Sequence, residues 1–191
     1  MDVVALYRRS MDNFTDTVTR VGPDQWSDPT PCAGWDVRTL VNDLVYEDRW
    51  AVPLFEGATI AEVGDQFEGD LLGDDPRAAA DEATRAAYEA VSAPGAMART
   101  VHLSFGDTPA DEYAHQLFAD HVVHTWDLLA ATGGDRALDG ELVAALAEWF
   151  ADREEAYRQA GAIGPRVELP DGASAQDRLI AAFGRDPAWS A

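Results

Sequence analysis

A stretch near the middle of the chain carries the side chains best suited to chemistry. Asp120 and His124 stand four residues apart, which in an α-helix places them one turn apart on the same face, where both could bind one ion. Leu117, Leu128 and Ala131 continue this face with apolar groups, so it should point into a core. Buried polar side chains need a hydrogen-bond partner, an opposite charge or a metal. A metal site and a self-satisfied polar pair are both open on this pattern.

A second pair of acidic side chains lies in an earlier helical pattern. Asp43 and Glu47 are also one turn apart, at the edge of an apolar stripe predicted to form a helix over residues 36–54. Such a border is usually solvated. If this helix packs against the central one, however, the two carboxylates could face Asp120 and His124.

The single cysteine, Cys32, lies in a loop rich in proline and tryptophan. No His, Lys or metal-ligand residue is near it in the sequence, and a reactive thiol needs an activating neighbour. We therefore predict a structural role for Cys32, so that its replacement by Ala or Ser should leave any activity largely intact. His102 falls in an alternating segment and is expected to be exposed.

Helical periodicity and capping residues indicate the elements that must position these groups. Four long helices are predicted over residues 2–21, 36–54, 75–92 and 109–132, the last opened by Thr108 and Pro109, with Asp111 completing a capping-box-like arrangement. A fifth helix should run from Asp139 to near Gly161, and a short one should begin at Ser174. Residues 101–105 alternate like a short strand. The prediction is an all-α bundle with a small extended insert, forming one domain over residues 1–191.

The composition excludes several kinds of partner and mechanism. Thirty-five acidic and fourteen basic residues give a net charge of −21, which disfavours nucleic acid and anionic membranes. All basic residues are Arg, so Schiff-base chemistry and a phosphate-loop lysine are excluded. One cysteine, no leader-like opening and no long apolar run predict a cytoplasmic protein that does not cross a membrane.

Three motifs resemble a known family. Residues 31–45 (PCAGWDVRTLVNDLV), 120–128 (DHVVHTWDL) and 177–187 (DRLIAAFGRDP) are similar to signatures of the DinB-like metal-binding superfamily. They resemble in particular its actinobacterial branch, which includes the N-terminal domain of mycothiol-dependent maleylpyruvate isomerase. The resemblance implies an up-down-down-up four-helix bundle, here with an extra C-terminal helix. It also implies a divalent ion, commonly zinc, between the second helix and the long central helix.

The family's ligand positions can be transferred to this chain one by one. Asp120 and His124 fall on the two positions of the central helix. Asp43 occupies the second-helix position, where the family usually has His. Two carboxylates and one imidazole tolerate zinc but suit manganese or iron better than a His-rich set would, and nickel is a further alternative. Glu47 and His121 are candidate additional ligands, while Asp127 is expected either to hydrogen-bond to a ligand residue or to be a polar residue in helix packing.

The resemblance implies two classes of function. Three protein ligands would leave a coordination position open, as in catalytic sites. A low-molecular-weight thiol such as mycothiol could then act as co-substrate and attack a small electrophile, which predicts a thiol transferase or isomerase. Maleylpyruvate itself is not assigned, because the isomerase has a further C-terminal domain. The alternative is a non-catalytic relative that binds a small molecule or a protein partner. The sequence leaves a homodimer open.

Overall fold

The computed structural model describes residues 2–191 and is mostly helical, with one small sheet. The helices, in chain order, are α1 (Val3–Arg20), α2 (Val37–Glu56), α3 (Ile60–Val63), α4 (Pro76–Val91), α5 (Ala110–Thr132), α6 (Gly140–Phe150), α7 (Glu154–Gln159) and α8 (Ala175–Ala182). The strands are β1 (Thr100–Leu103) and β2 (Gly106–Pro109). The predicted bounds of the four long helices lie within two residues of those observed.

The four long helices form the core because each has an apolar face and most have a side-chain cap. Asp36 accepts a hydrogen bond from the Thr39 amide at the start of α2, and Asp75 accepts one from the Ala78 amide at the start of α4. Helix α1 packs against α5 and α4, and α2 packs against α4 and α5. This arrangement brings the acidic edge of α2 against the central helix.

The predicted extended insert is a β-hairpin, but the start of the central helix differs from the prediction. β1 and β2 pair antiparallel, with Val101 opposite Thr108. Thr108 is therefore a strand residue, and its hydroxyl donates to the Gly106 carbonyl rather than capping α5. Pro109 precedes α5 without any side-chain cap. The predicted capping box with Asp111 is wrong, because Thr108 pairs with Val101 in the hairpin and its hydroxyl does not reach the start of α5.

The predicted fifth helix is broken in two, with a turn over residues 151–153 between α6 and α7. The Arg153 guanidinium donates to the Trp149 carbonyl at 2.7 Å and pairs with Glu112 of α5 at 2.9 Å. The first contact gives the Trp149 carbonyl, near the end of α6, a hydrogen-bond donor. The second holds the turn against α5. A continuous helix would carry Arg153 away from both partners, so a tertiary contact overrides the local helical pattern.

Helix α5 is buried on nearly all sides and carries a polar network toward α1 and α2. The Tyr7 hydroxyl donates to Asp48 Oδ1 at 2.6 Å, and His121 Nε2 lies 3.3 Å from Asp48 Oδ2 without hydrogen-bond alignment. His121 Nδ1 is 3.0 Å from the Leu117 carbonyl, to which it donates. Burial opposes the charge on His121, but Asp48 raises its pKa overall. The three side chains are at most 1% exposed, so their partners must be internal.

Within residues 2–191, none of the helices combines the length and the apolar character needed to cross a lipid bilayer.

The Tyr7 to Asp48 hydrogen bond should contribute measurably to stability. Tyr7→Phe removes only the hydroxyl and leaves a buried carboxylate oxygen without its donor, so we expect a loss of about 1–3 kcal/mol in the free energy of unfolding. Urea denaturation measures it. Tyr88→Phe on α4 is the matched control, because Tyr88 is only partly buried and should change stability by less than about 0.5 kcal/mol. Equal effects of the two variants would contradict the network.

Candidate functional site

A cleft of about 730 Å³ opens beside the middle of α5. It is lined by residues of α2, α5, the turn of the β-hairpin, α7 with the segment after it, and the segment after α8. The side chains that line it are Glu47, Phe105, Gln116, Ala119, Asp120, Val123, His124, Ala156, Tyr157, Ala160, Ala162, Ile163, Phe183 and Arg185. The cleft thus contains three of the residues singled out from the sequence, namely Glu47, Asp120 and His124.

His124 is held in a defined orientation at the cleft wall. Its Nδ1 lies 3.1 Å from Asp127 Oδ2, and its ring stacks on Trp35 with a centroid distance of 6.0 Å and an interplanar angle of 20°. Nε2 makes no hydrogen bond to another residue of the described chain. A carboxylate on one imidazole nitrogen is the usual support for a histidine that binds metal through the other. His124 is therefore oriented to offer Nε2 as a ligand.

Asp127 is itself fixed by two further groups. Arg185 Nη2 donates to Asp127 Oδ2 at 3.1 Å, and the Cys32 thiol donates to the same oxygen at 3.3 Å. Arg185 Nη2 also reaches Cys32 Sγ at 3.3 Å. Burial opposes ionisation of Asp127, but His124 and Arg185 together lower its pKa. Burial also opposes the charge on His124, while Asp127 and Cys32 raise its pKa to about 10. In the absence of a metal, a buried ion pair results.

Several carboxylates also lie near His124. Burial raises the pKa of Glu47 to about 8, and the charges of Asp120, Asp43 and Asp48 add to the effect. Burial also raises the pKa of Asp43, and Asp120 increases that shift. Burial likewise raises the pKa of Asp120. Acids from α2 and α5 therefore share a low-dielectric region, where a cation would offset their repulsion.

The predicted ligand atoms of Asp43, Asp120 and His124 do not form a preassembled cluster. Within residues 2–191, the possible ligand atoms that lie within 4.8 Å of one another belong to Cys32, His124 and Asp127. This second trio includes the nitrogen already bonded to Asp127, and the Arg185 guanidinium contacts both its sulfur and its carboxylate. A metal ion there would sit against a fixed positive charge. The trio is better described as a hydrogen-bonded support for His124.

His121, a candidate additional ligand, lies away from the cleft. Its ring is fully buried and packs edge-on against Tyr7 and Phe14 at centroid distances of 5.3 Å and 5.5 Å. Both of its nitrogens face internal partners, Asp48 and the Leu117 carbonyl. This position gives His121 a role in the core, where it links α5 to α1 and α2.

Sequence reasoning missed the surroundings of Cys32 and two residues of the cleft. The structural role predicted for Cys32 was based on the absence of sequence neighbours, yet His124, Asp127 and Arg185 surround it in space. Arg185 belongs to the third quoted motif, and its place in that motif was a usable signal. Tyr157 lies in a segment with no motif, so nothing in the sequence marked it as a cleft residue.

Comparison with known proteins identifies the family. A family model described as the mycothiol maleylpyruvate isomerase N-terminal domain matches residues 7–129. The chain belongs to this family. Two uncharacterized proteins, from two strains of Mycobacterium tuberculosis, are each 32% identical over 146 residues, which is 74% of this chain and 74% of the relative. No solved structure matched the chain.

The match to the mycothiol maleylpyruvate isomerase N-terminal domain extends over only part of the cleft. It includes Glu47, Asp120 and His124, whereas Tyr157 and Arg185 lie beyond residue 129. Glu47, Asp120 and His124 therefore belong to the portion that matches the family model, and the lining residues from Ala156 to Arg185 lie after it.

Acid crowding predicts a distinctive pH dependence in this family member. The folded-state pKa of Glu47 is about 8, above its ordinary value of 4.5, so the native protein keeps a proton that the unfolded chain releases. Stability of metal-free protein should therefore fall as the pH rises between these values. Glu47→Gln removes this titration and should reduce the loss. Urea denaturation at about pH 5 and about pH 8, after dialysis against EDTA, measures it.

The exposed Glu89 of α4 provides the control. Glu89→Gln should retain the wild-type loss of stability across the same pH range. If Glu47→Gln loses as much stability as the wild type does, Glu47 is not the buried acid described here.

Proposed function

We propose that the protein is a metal-dependent thiol transferase or isomerase that joins a low-molecular-weight thiol, of the mycothiol type, to a small electrophile. The observation that carries this proposal is the orientation of His124. Asp127 occupies Nδ1 at 3.1 Å, and the remaining nitrogen belongs to a side chain on the wall of an acidic cleft. Membership of the mycothiol maleylpyruvate isomerase N-terminal domain family supports the thiol chemistry.

The proposed ligands are Asp43, Asp120 and His124. Their chemistry fits a divalent cation, because burial raises the pKa of both carboxylates and a positive charge would relieve that cost. Two carboxylates and one imidazole suit zinc, manganese or iron. Since the three groups are not preassembled, we infer that small side-chain movements bring them together.

The chain's own residues supply orientation and proton transfer. Asp127 and Arg185 hold the His124 ring, while Asp120 and His124 present their free atoms at the cleft wall. A bound divalent ion would lower the pKa of a coordinated thiol and so favour the thiolate. Glu47, the further ligand candidate on α2, lines the same cleft. Burial raises its pKa to about 8, and the positive charge of a bound ion would favour its ionised form, which could then accept the thiol proton.

The second candidate function is binding without catalysis. Asp43 stands where the resemblance predicts a His, and the possible ligand atoms of the three residues do not all lie within 4.8 Å of one another among residues 2–191. Both observations favour a degenerate site in a bundle that binds a small molecule or a protein partner. Metal content separates the two functions, since only the first requires an ion.

The same reasoning extends to the architecture. We propose that the whole chain is one domain with the up-down-down-up order of the DinB-like bundle, because the pairing of α1 with α4 and α5, and of α2 with the same two helices, forms one four-helix core. Cytoplasmic location and a homodimer remain expectations from the sequence.

Substitution of the ligand histidine tests the proposed metal site. Protein purified from zinc-supplemented medium should contain about one metal ion per chain by inductively coupled plasma mass spectrometry, and His124→Ala should lose it. His102→Ala is the control, since His102 lies on the hairpin, paired with Asp107 at 2.6 Å. Asp43→His should raise zinc affinity, because imidazole is the softer ligand. Full metal content in His124→Ala would exclude this site.

A further inference from the structure

The third motif, residues 177–187, lies outside the part of the chain that matches the family model, yet one of its side chains supports the candidate metal centre. Arg185 Nη2 donates to Asp127 Oδ2 at 3.1 Å and reaches Cys32 Sγ at 3.3 Å. Arg185 Nη1 donates to the Phe183 carbonyl at 3.0 Å. The guanidinium is thus bound by its own segment as well as by the site, so the path of the chain after α8 decides where Arg185 lies.

Gly184 sets that path. Beyond the end of α8, the Gly184 amide donates to the Ala181 carbonyl at 3.0 Å, and the Arg185 amide donates to the Ile180 carbonyl at 3.1 Å. These two hydrogen bonds form a Schellman motif, which requires a left-handed residue at the position of Gly184. Its φ is +79°, a conformation that glycine adopts without steric cost. The motif turns the chain sharply, and Arg185 is the first residue after the turn.

The segment after α7 leaves no room for a side chain at this turn. A Cβ on Gly184 would lie 3.0 Å from backbone atoms of Gly164, closer than carbon atoms pack at their optimal separation. Arg158 ties the two segments together, because its guanidinium donates to the Gly164 carbonyl and, at 3.3 Å, to the Ala182 carbonyl. A residue with a Cβ at position 184 would therefore be strained by its own backbone and would push against a neighbouring backbone.

The segment that follows the turn is also tied at its far end. Arg136 Nη1 donates to the Trp189 carbonyl at 2.8 Å and to the Pro187 carbonyl at 3.4 Å. Trp189 packs against a small cluster that contains Trp126 of α5, and the Arg136 guanidinium lies over the Trp126 ring at 5.8 Å. Residues 184–189, the C-terminal strap, thus run between two fixed points, with Arg185 next to the first.

We propose that the C-terminal strap is a positioning element of the metal centre. Gly184 and Arg136 hold Arg185 on Asp127, and Asp127 in turn fixes the His124 ring so that Nε2 stays available. Gly184 and Arg136 act through Arg185 and touch neither ion nor substrate. The assignment rests on the proposed function for the ion, whereas the hydrogen bond between His124 and Asp127 forms without one. It extends the site beyond residue 129, where the family match ends.

The first test needs no metal. The chain has four histidines, so NMR of protein labelled with ¹⁵N-histidine can follow each ring separately. In EDTA-treated wild type, we expect a slowly exchanging Nδ1 proton on His124, because Asp127 binds it in the interior. Gly184→Ala should speed its exchange with water at least about tenfold, since Arg185 no longer holds the carboxylate. The His121 Nδ1 proton, bonded to the Leu117 carbonyl, should not change.

Gly172→Ala is the matched control. Gly172 has nearly the same φ, +83°, but a Cβ there would meet no atom of the described residues within 4 Å. It lies before α8, outside the strap. Its replacement carries the same cost of a left-handed backbone without the contact at Gly164, so both histidine signals should remain as in the wild type.

A variant at the far end keeps the test decisive if Gly184→Ala does not fold. Arg136→Ala removes the second anchor and leaves the turn after α8 intact. It should speed exchange of the His124 Nδ1 proton about threefold, because the strap then opens more often. Arg77→Ala is its control, since Arg77 also donates to a backbone carbonyl, that of Val21 at 2.7 Å, but belongs to α4. It should leave the exchange rate unchanged.

Zinc affinity tests whether the strap serves the metal. Loss of a group that supports a metal ligand typically weakens binding 10–100-fold, so Gly184→Ala and Arg185→Ala should each weaken zinc binding about tenfold. Competition with a chromophoric chelator measures it. Because Gly184 acts through Arg185, the double variant should also lose about tenfold, whereas independent effects would multiply to about a hundredfold. Gly172→Ala should bind zinc like the wild type.

Three outcomes would overturn the proposal: no change of His124 exchange in the strap variants, no change of their zinc affinity, or a multiplied loss in the double variant. Failure of the proposed function looks different. Wild-type protein that binds no zinc would refute that function, while the exchange rates still decide whether the strap positions His124. Wild-type protein that binds zinc through His124 but ignores the strap variants would do the reverse.

Discussion

The hydrogen bond between His124 and Asp127 is the interaction on which the site depends. It joins two residues of α5 that lie three positions apart, and Arg185 and Cys32 hold the Asp127 carboxylate from outside the helix. A histidine ring free to rotate would present either nitrogen, whereas this arrangement leaves Nε2 available. Residues from the loop before α2, from α5 and from the segment after α8 thus orient one ligand atom.

The surrounding charges explain why the site is both costly and useful. Acids of α2 and α5 share the interior with His124, and burial raises the pKa of Glu47, Asp43 and Asp120. Such a cluster destabilises the metal-free fold, so it must be offset elsewhere. The nearby buried network of Tyr7, Asp48 and His121 is different. Most of its polar atoms already have a hydrogen-bond partner or an opposite charge inside the protein. Only the first cluster has a use for an added cation.

Local signals predicted most of the fold, while tertiary contacts account for the differences. Asp36 and Asp75 are caps whose hydrogen bonds involve residues three positions along the chain, so sequence spacing was sufficient to find them. Thr108 was predicted to cap a helix. It pairs with Val101 instead, in a hairpin that the spacing around Thr108 does not indicate. The break after α6 depends on Arg153 reaching Glu112 across the fold. Neither contact is visible in a periodicity.

The site was predictable to the same extent. Two patterns in the sequence identified Asp43, Glu47, Asp120 and His124 as candidates: the one-turn spacing on the central helix and the acidic edge of α2. The charges of these groups interact in the fold. The contacts of Cys32 were not predictable, because Asp127 and Arg185 lie 95 and 153 residues away from it in the sequence. Tyr157 was missed for the same reason.

Anomalous diffraction at the zinc absorption edge, from crystals grown with zinc, tests the central claim most directly. The account predicts a single strong peak within bonding distance, about 2.0–2.2 Å, of His124 Nε2 and a carboxylate oxygen of Asp120, with Asp43 drawn toward the ion. His124 Nδ1 should remain bonded to Asp127. A peak between Cys32 and His124 Nδ1 would contradict this account. So would the absence of any peak near α5 in crystals that contain zinc.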